Sequence, residues 1–167
     1  MSEEVMIEGI ETPIKLTYNF KPGRATERFL RGLKVGKIYA QRCPSCKNVI
    51  VPPRGACARC GVATEEEVEL TAKGTVTTFT IVHIPIPGSD IKPPFVVASV
   101  LLDGADIPLF HLMEDPKQVR MGMRVEGVWR PEAEWDYSLE NIRYFHPIDE
   151  PDVDVVALEK KGQQSNA

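Results

Sequence analysis

Residues 43–60 read CPSCKNVIVPPRGACARC, and within them Cys43-Pro44-Ser45-Cys46 and Cys57-Ala58-Arg59-Cys60 form two Cys-x2-Cys hooks separated by ten residues. Each hook can place two thiolates on one ion, and two hooks supply the four ligands of a closed tetrahedral zinc site. Bound zinc keeps the thiols ionised, and Arg42, Lys47, Arg54 and Arg59 offset the net negative charge of such a centre. The spacer is shorter than the ~15–20 residues of a longer ribbon. VIVPPRGA, residues 49–56, is therefore expected to form one tight hairpin or loop in a small ribbon. Four protein sulfurs leave no open coordination position, so one such zinc per chain is structural. Buried free thiols or a redox pair are the competing reading; a lone hook would leave the choice open, whereas paired hooks favour metal. A module this small has almost no apolar core of its own, and the metal is expected to supply its folding energy.

Upstream, ATERFLRGL (residues 25–33) places Phe29, Leu30 and Leu33 on one side of a short helix and pairs Glu27 with Arg31 at i,i+4. So short a helix has to dock on something. Downstream of Glu65, Glu66 and Glu67 the pattern turns to β: residues 74–84, 95–102, 106–113, 123–130 and about 141–147 read as five strands. Asp103-Gly104 gives a hairpin signal between the second and third. The run from Asp115-Pro116 to Gly122 reads as one or two helical turns between the third and fourth. This order is that of an OB-fold barrel, five-stranded and mainly β. The expected organisation is an arm at 1–22, helix plus ribbon at 23–62, barrel at 63–148 and an acidic, polar tail at 149–167.

The chain has 167 residues and a net charge of -4, but the sign is unevenly spread. Residues 21–60 carry ten Lys/Arg and one acid, whereas residues 61–167 carry nine Lys/Arg and nineteen acids. An anionic ligand or acidic partner should therefore meet the N-terminal third, where Arg24, Arg28, Arg31 and Lys34 recur at helical spacing. A solvated helix face is the alternative for that stripe. No apolar run approaches the ~20 residues of a membrane span, and residues 1–19 do not read as a secretion signal. The expected location is the cytoplasm, where disulfides are rare.

No glycine-rich phosphate loop, serine elbow or His-Glu-x-x-His motif is present. His83, His111 and His146 fall in predicted strands, as barrel-wall residues or, alternatively, as general bases. Asp103 and Asp106 are accounted for by turn chemistry. With the cysteines assigned to metal, no thiol remains as nucleophile. The proline-rich loop spanning Pro85 to Pro94 joins the first two barrel strands, where OB-folds recruit ligands, or is a stiff connector.

The sequence FLRGL, KIYAQRCPSC, VPPRGACARCG, GTVTTFT, PPFVVASVLLDG and RMGMRVE, in that order, resembles the zinc-ribbon plus OB-fold acyl-CoA-associated proteins that accompany thiolases. The resemblance runs over residues 25–147 and implies a rubredoxin-like zinc ribbon beside an OB barrel. It implies a non-catalytic subunit of a hetero-oligomer with a thiolase, acyltransferase or retro-aldolase whose active residue sits on the partner. It also implies that the small protein helps complete a channel for CoA or acyl-CoA. Cys43, Cys46, Cys57 and Cys60 match the family ligands one by one. Candidate partner and CoA contacts are Arg24, Arg28, Phe29, Arg31 and Arg54, because the charge and the unsheltered helix coincide there. Two other classes compete: a nucleic-acid-binding module, for which the acidic barrel half is poorly suited, and an independent acyl-CoA enzyme.

Overall fold

The computed structural model describes Gly9, Ile14 and residues 16–158. Helix α1 (Arg24–Leu33) precedes a three-stranded antiparallel sheet of β1 (Ile38–Arg42), β2 (Val49–Ile50) and β3 (Glu66–Leu70), in the order β2-β1-β3. A five-stranded sheet follows, with β4 (Lys73–Val82), β5 (Phe95–Leu102), β6 (Leu109–Leu112), β7 (Arg124–Trp129) and β8 (Ile142–Pro147) in the order β6-β5-β4-β7-β8. Its two end strands meet through a parallel bridge between Met113 and Phe145, which curls the sheet into the barrel. The five expected barrel strands are all present, although β6 is shorter than the pattern suggested. Residues 115–122 form turns rather than the expected helix; the Asp115 carboxylate accepts from the N–H of Lys117, an Asx turn in place of a helix cap. The expected arm falls mostly outside the described residues, as do residues 159–167 of the expected tail.

Strand β3 escapes an alternation-based reading because Glu66, Glu67 and Glu69 dominate it. Each glutamate is answered by a cation from the helix, from β1 or from the residue just before it. Arg42 donates to Glu66 at 3.0 Å, Lys37 to Glu69 at 3.0 Å, and Arg28 to both oxygens of Glu67 at 2.6 Å. Register follows the same logic, since β1 and β3 pair from Ile38–Leu70 to Arg42–Glu66.

On α1, Ala25, Phe29, Gly32 and Leu33 are buried while Arg24, Arg28 and Arg31 face outward. The apolar face does not await an external surface. Phe29 and Leu33 join Ile38, Val49 and Leu70 of the ribbon and Val76, Val100 and Phe145 of the barrel in one continuous core. The expectation of a ribbon nearly without a core is thereby corrected: ribbon and barrel share theirs.

The helix C-terminus is held by a residue more than a hundred positions away. Asn141, buried between the last two barrel strands, donates from Nδ2 to the Leu33 carbonyl at 2.9 Å and to the Asp136 carbonyl at 2.6 Å. Its Oδ1 accepts from the Asp136 N–H at 3.0 Å, so the amide is satisfied on both ends. Gly36, at φ 72°, then turns the chain beneath the Trp135 ring, where a Cβ would sit 2.6 Å from a ring carbon. Lys34 adds a bond from Nζ to the Trp135 carbonyl at 2.5 Å.

Replacing Asn141 by alanine strands buried carbonyls and an N–H, each costing about 1–3 kcal/mol. Asn141→Ala should therefore lower stability to denaturant by roughly 2–4 kcal/mol, while Glu132→Ala on the exposed turn should change it by less than about 0.5 kcal/mol. Equal, small effects would contradict the docking role of this amide.

Candidate metal centre

Both hooks fold as the same knuckle. In the first, the Cys43 N–H donates to the Asn48 carbonyl at 2.8 Å and the Lys47 N–H to the Cys43 carbonyl at 3.0 Å. In the second, Cys57 N–H donates to Val62 at 2.9 Å and Gly61 N–H to Cys57 at 2.9 Å. The residue after each second cysteine takes the left-handed conformation, Lys47 at φ 64° and Gly61 at φ 68°. Glycine adopts it freely, and a branched residue does not. The first knuckle is itself the turn joining β1 to β2, and an Ala56–Ala63 bridge closes the second. Of the expected hairpin or loop at 49–56, Val49 and Ile50 are strand β2 and residues 51–55 a loop, and the hairpin turns of the ribbon are the knuckles.

The arrangement brings all four sulfurs within 4.8 Å of one another. Cys46 and Cys57 Sγ lie 3.8 Å apart, which matches the roughly 3.8 Å edge of a tetrahedron with ~2.3 Å metal–sulfur bonds. Cys43 and Cys57 are buried, Cys46 and Cys60 partly so, with Ile50 and Ile107 packed around them. Burial pushes the Cys43 thiol up, but the N–H groups of Cys46 and Ser45 and the neighbouring thiols outweigh it and bring it down to about 7. At Cys46 the Asn48 N–H favours the thiolate, yet burial and the other three sulfurs push it up to about 11. Sulfurs this close cannot all ionise unless a cation shares their charge. The donor set thus fits zinc, a four-thiolate, closed structural site.

The barrel grips this ribbon directly. Asp106 accepts from the Val49 N–H through Oδ2 at 2.7 Å, and its own N–H donates to the Val49 carbonyl at 2.9 Å. Sequence reading assigned Asp106 to turn chemistry alone; its position beside a hairpin signal concealed the clip. Asp103, read the same way, makes a bidentate pair with Arg124 at 2.6 and 2.7 Å. The Arg124 side chain, 12% exposed, also reaches Glu150 and Thr75; Asp103 and then Glu150 raise its pKa, while that of Asp103 is held down, chiefly by the guanidinium.

The cations proposed for a partner or CoA divide into two groups. Arg28 is engaged by Glu67, whose carboxyl is held below its usual range by that hydrogen bond. Arg31 is bonded to Glu27 at 2.8 and 2.9 Å. Arg24 and Arg54 are exposed and have no ion pair with another described residue. Phe29, 4% exposed, is spent on the chain's own core. Arg24 and Arg28 line a cleft of about 380 Å³ between α1 and the second knuckle, but Glu65 and Glu67 line it too. His111 lies in the barrel wall: its Nδ1 accepts from the Leu112 N–H at 2.9 Å, Nε2 faces the Leu139 carbonyl at 3.4 Å, and burial lowers its pKa.

Two family models match this arrangement: the rubredoxin-like zinc ribbon domain of ChsH2 over residues 31–66 and the C-terminal OB-fold domain of ChsH2 over residues 67–130. A DUF35 domain-containing scaffold protein of Methanocaldococcus jannaschii is 37% identical over 95 residues, covering 56% of this chain and 67% of the relative. The chain belongs to the DUF35 scaffold family. A DUF35 scaffold protein of Pyrococcus furiosus is 35% identical, covering 54% of this chain and 69% of its own length. A probable enoyl-CoA hydratase alpha subunit of Thermomonospora curvata is 30% identical over 118 residues, which span 70% of this chain but 36% of that protein. Among solved structures, a DUF35 family protein of unknown function from Sulfolobus solfataricus shares the fold, with a TM-score of 0.59 at 24% identity, over 75% of this chain and 87% of that one. The Ltp2-ChsH2(DUF35) aldolase aligns with a TM-score of 0.57 and 26% identity, over 77% of this chain and 98% of that one. Among the described residues, no helix of this DUF35 chain is long and apolar enough to cross a membrane.

Protein purified without added zinc should carry one zinc per chain by elemental analysis, and cobalt exchanged into it should give the absorption of a tetrahedral tetrathiolate. Cys57→Ser should lose the metal, and Gly61→Val, which forces a branched side chain into the left-handed region at a cost of about 1–2 kcal/mol, should weaken its retention. A metal content near zero, or an iron spectrum, would refute the assignment.

Proposed function

We propose that the chain is a zinc-stabilised, non-catalytic scaffold subunit acting in the cytoplasm. Its partner is a thiolase-fold protein that holds the reacting groups, and the two together bind a CoA thioester for carbon–carbon bond cleavage or formation. The observation that carries this reading is the β4–β5 hairpin. Residues 75–102 contain only two charged side chains, Asp90 and Lys92, yet the hairpin leaves Ile81, Ile84, Ile86 and Ile91 exposed. On the neighbouring β6, Phe110 is 65% exposed and lines a shallow cleft of about 190 Å³ with Thr78, Thr80, Val97 and Ser99. Uncharged surface rich in large apolar side chains is the composition of protein–protein interfaces. The similarity to one chain of a two-protein aldolase supports a partner of that kind.

The cations narrow the CoA contacts. With Arg28 and Arg31 neutralised by Glu67 and Glu27, Arg24 and Arg54 are the nominated residues with charge to offer CoA phosphates. Folding the acidic β3 onto the basic helix also disfavours a nucleic-acid role, since that role needs an unopposed positive surface.

Isolation of the native protein from its source should bring down a thiolase-fold protein, and recovery of single-stranded nucleic acid instead would overturn the reading. The complex should persist near 1 M salt, where exposed charges are screened beyond about 3 Å, whereas Phe110→Asp should weaken it. The chain alone should not turn over an acyl-CoA; activity in its pure form, lost on His83→Ala or His111→Ala, would show it to be an enzyme.

A further inference from the structure

Arg143 stands at an irregularity in the barrel. Strands β7 and β8 pair in step from Val125–Pro147 to Val128–Tyr144, but the next pair is Trp129–Ile142, so Arg143 is an extra residue with nothing opposite it. The same slip lets Ile142 and Phe145, three positions apart, both bury in the core. A bulge of this kind bends its strand and re-aims a side chain. Arg143 is exposed and lines a cleft of about 420 Å³ with Val128, Trp129, Arg130, Pro131 and Glu134.

The cleft is held open by contacts that leave both arginine head groups unused. The Arg130 N–H donates to the Asn141 carbonyl at 2.7 Å, and its carbonyl accepts from Trp135 Nε1 at 2.8 Å. The Trp129 and Trp135 rings lie 5.5 Å apart, and Trp135 in turn rests on Gly36. Neither guanidinium makes a hydrogen bond or ion pair with another described residue; Arg143 passes over the Tyr144 ring, 5.7 Å from its centre. Acids are not scarce here, since residues 61–167 hold nineteen of them against nine Lys/Arg. In the same half Lys73, Arg120 and Arg124 each meet a carboxylate. Glu134 lines the cleft yet pairs with neither arginine. Two like charges turned into one cleft repel each other unless an anion is shared between them.

We propose that this cleft binds a mononucleotide, its phosphate between Arg130 and Arg143 and its base against the Trp129 ring. A guanidinium matches a phosphate with parallel N–H donors, and a tryptophan wall gives a planar base a surface to stack on. The volume falls within the roughly 300–1,000 Å³ of small-molecule sites. The site is separate from Arg24 and Arg54, the CoA contacts of the scaffold reading, and does not depend on that reading. A free nucleotide and the nucleotide end of a coenzyme carry the same chemistry.

The chain's two tryptophans are Trp129 and Trp135, so intrinsic fluorescence reports directly on occupancy. The zinc-loaded full chain is titrated with AMP, adenosine, inorganic phosphate and CoA. AMP should change the emission saturably, with adenosine and phosphate each binding at least about tenfold more weakly. Arg130→Gln and Arg143→Gln should each weaken AMP binding at least about tenfold, and Arg143→Lys, which keeps the charge but loses the fork, should fall between Arg143→Gln and wild type. Arg24→Gln and Arg54→Gln should bind AMP within about twofold of wild type. Zinc content and thermal unfolding should be unchanged in all five variants. CoA that displaces AMP assigns the cleft to the nucleotide end of a coenzyme; AMP binding that CoA leaves untouched assigns it to a free nucleotide. An emission unmoved by millimolar AMP overturns the proposal. So does phosphate binding as tightly as AMP, which marks an adventitious ion only, or single-stranded oligonucleotide binding far more tightly than AMP and lost in the same two glutamine variants.

Discussion

Four sulfurs packed within 4.8 Å cannot all be thiolates without a cation between them, and the ribbon is built around that constraint. The first knuckle is the turn that creates strand β2, and β2 presents the Val49 backbone to Asp106 of the barrel. Above the same sheet lies α1, whose apolar face fills the core shared with the barrel and whose Leu33 carbonyl is taken up by Asn141. A local requirement for charge neutralisation is thus transmitted to the whole molecule. Ribbon, helix and barrel form one packed body, which is what a scaffold needs in order to hold a partner in a defined position.

Charge is organised differently in space than along the chain. The basic N-terminal third and the glutamates that follow it are distant in composition but adjacent in the fold, because β3 returns antiparallel beside β1. Exposed pairs of this kind contribute little stability each, but they cancel the field that a linear reading ascribes to the helix. Large apolar side chains nonetheless stand exposed, among them Ile84 and Ile86 of the hairpin, Phe110, Leu16, Tyr18 and Phe20.

The parts of the fold carried by local pattern were legible in the sequence. Paired hooks announced the four cysteines, helical spacing announced α1, and branched residues announced β4, β5, β7 and β8. What escaped depends on contacts made over long separations. Strand β3 is polar because its neighbours are cations, Asn141 acts on a helix 108 residues earlier, and Asp106 clips a strand 57 residues away. Phe29 looked available because the core it joins is assembled from ribbon and barrel residues distant along the chain. The Asp115-Pro116 start fitted a helix, but no apolar periodicity followed to carry one beyond a turn.

If ribbon and barrel are one body, loss of metal has to be felt beyond the ribbon. Amide hydrogen exchange of the zinc-loaded and chelator-treated protein tests this directly. The account predicts that metal removal lowers protection not only between Cys43 and Cys60 but also at Asp106, along α1 and around Asn141. Protection lost in residues 43–60 alone, with the helix and barrel amides unchanged, would contradict it.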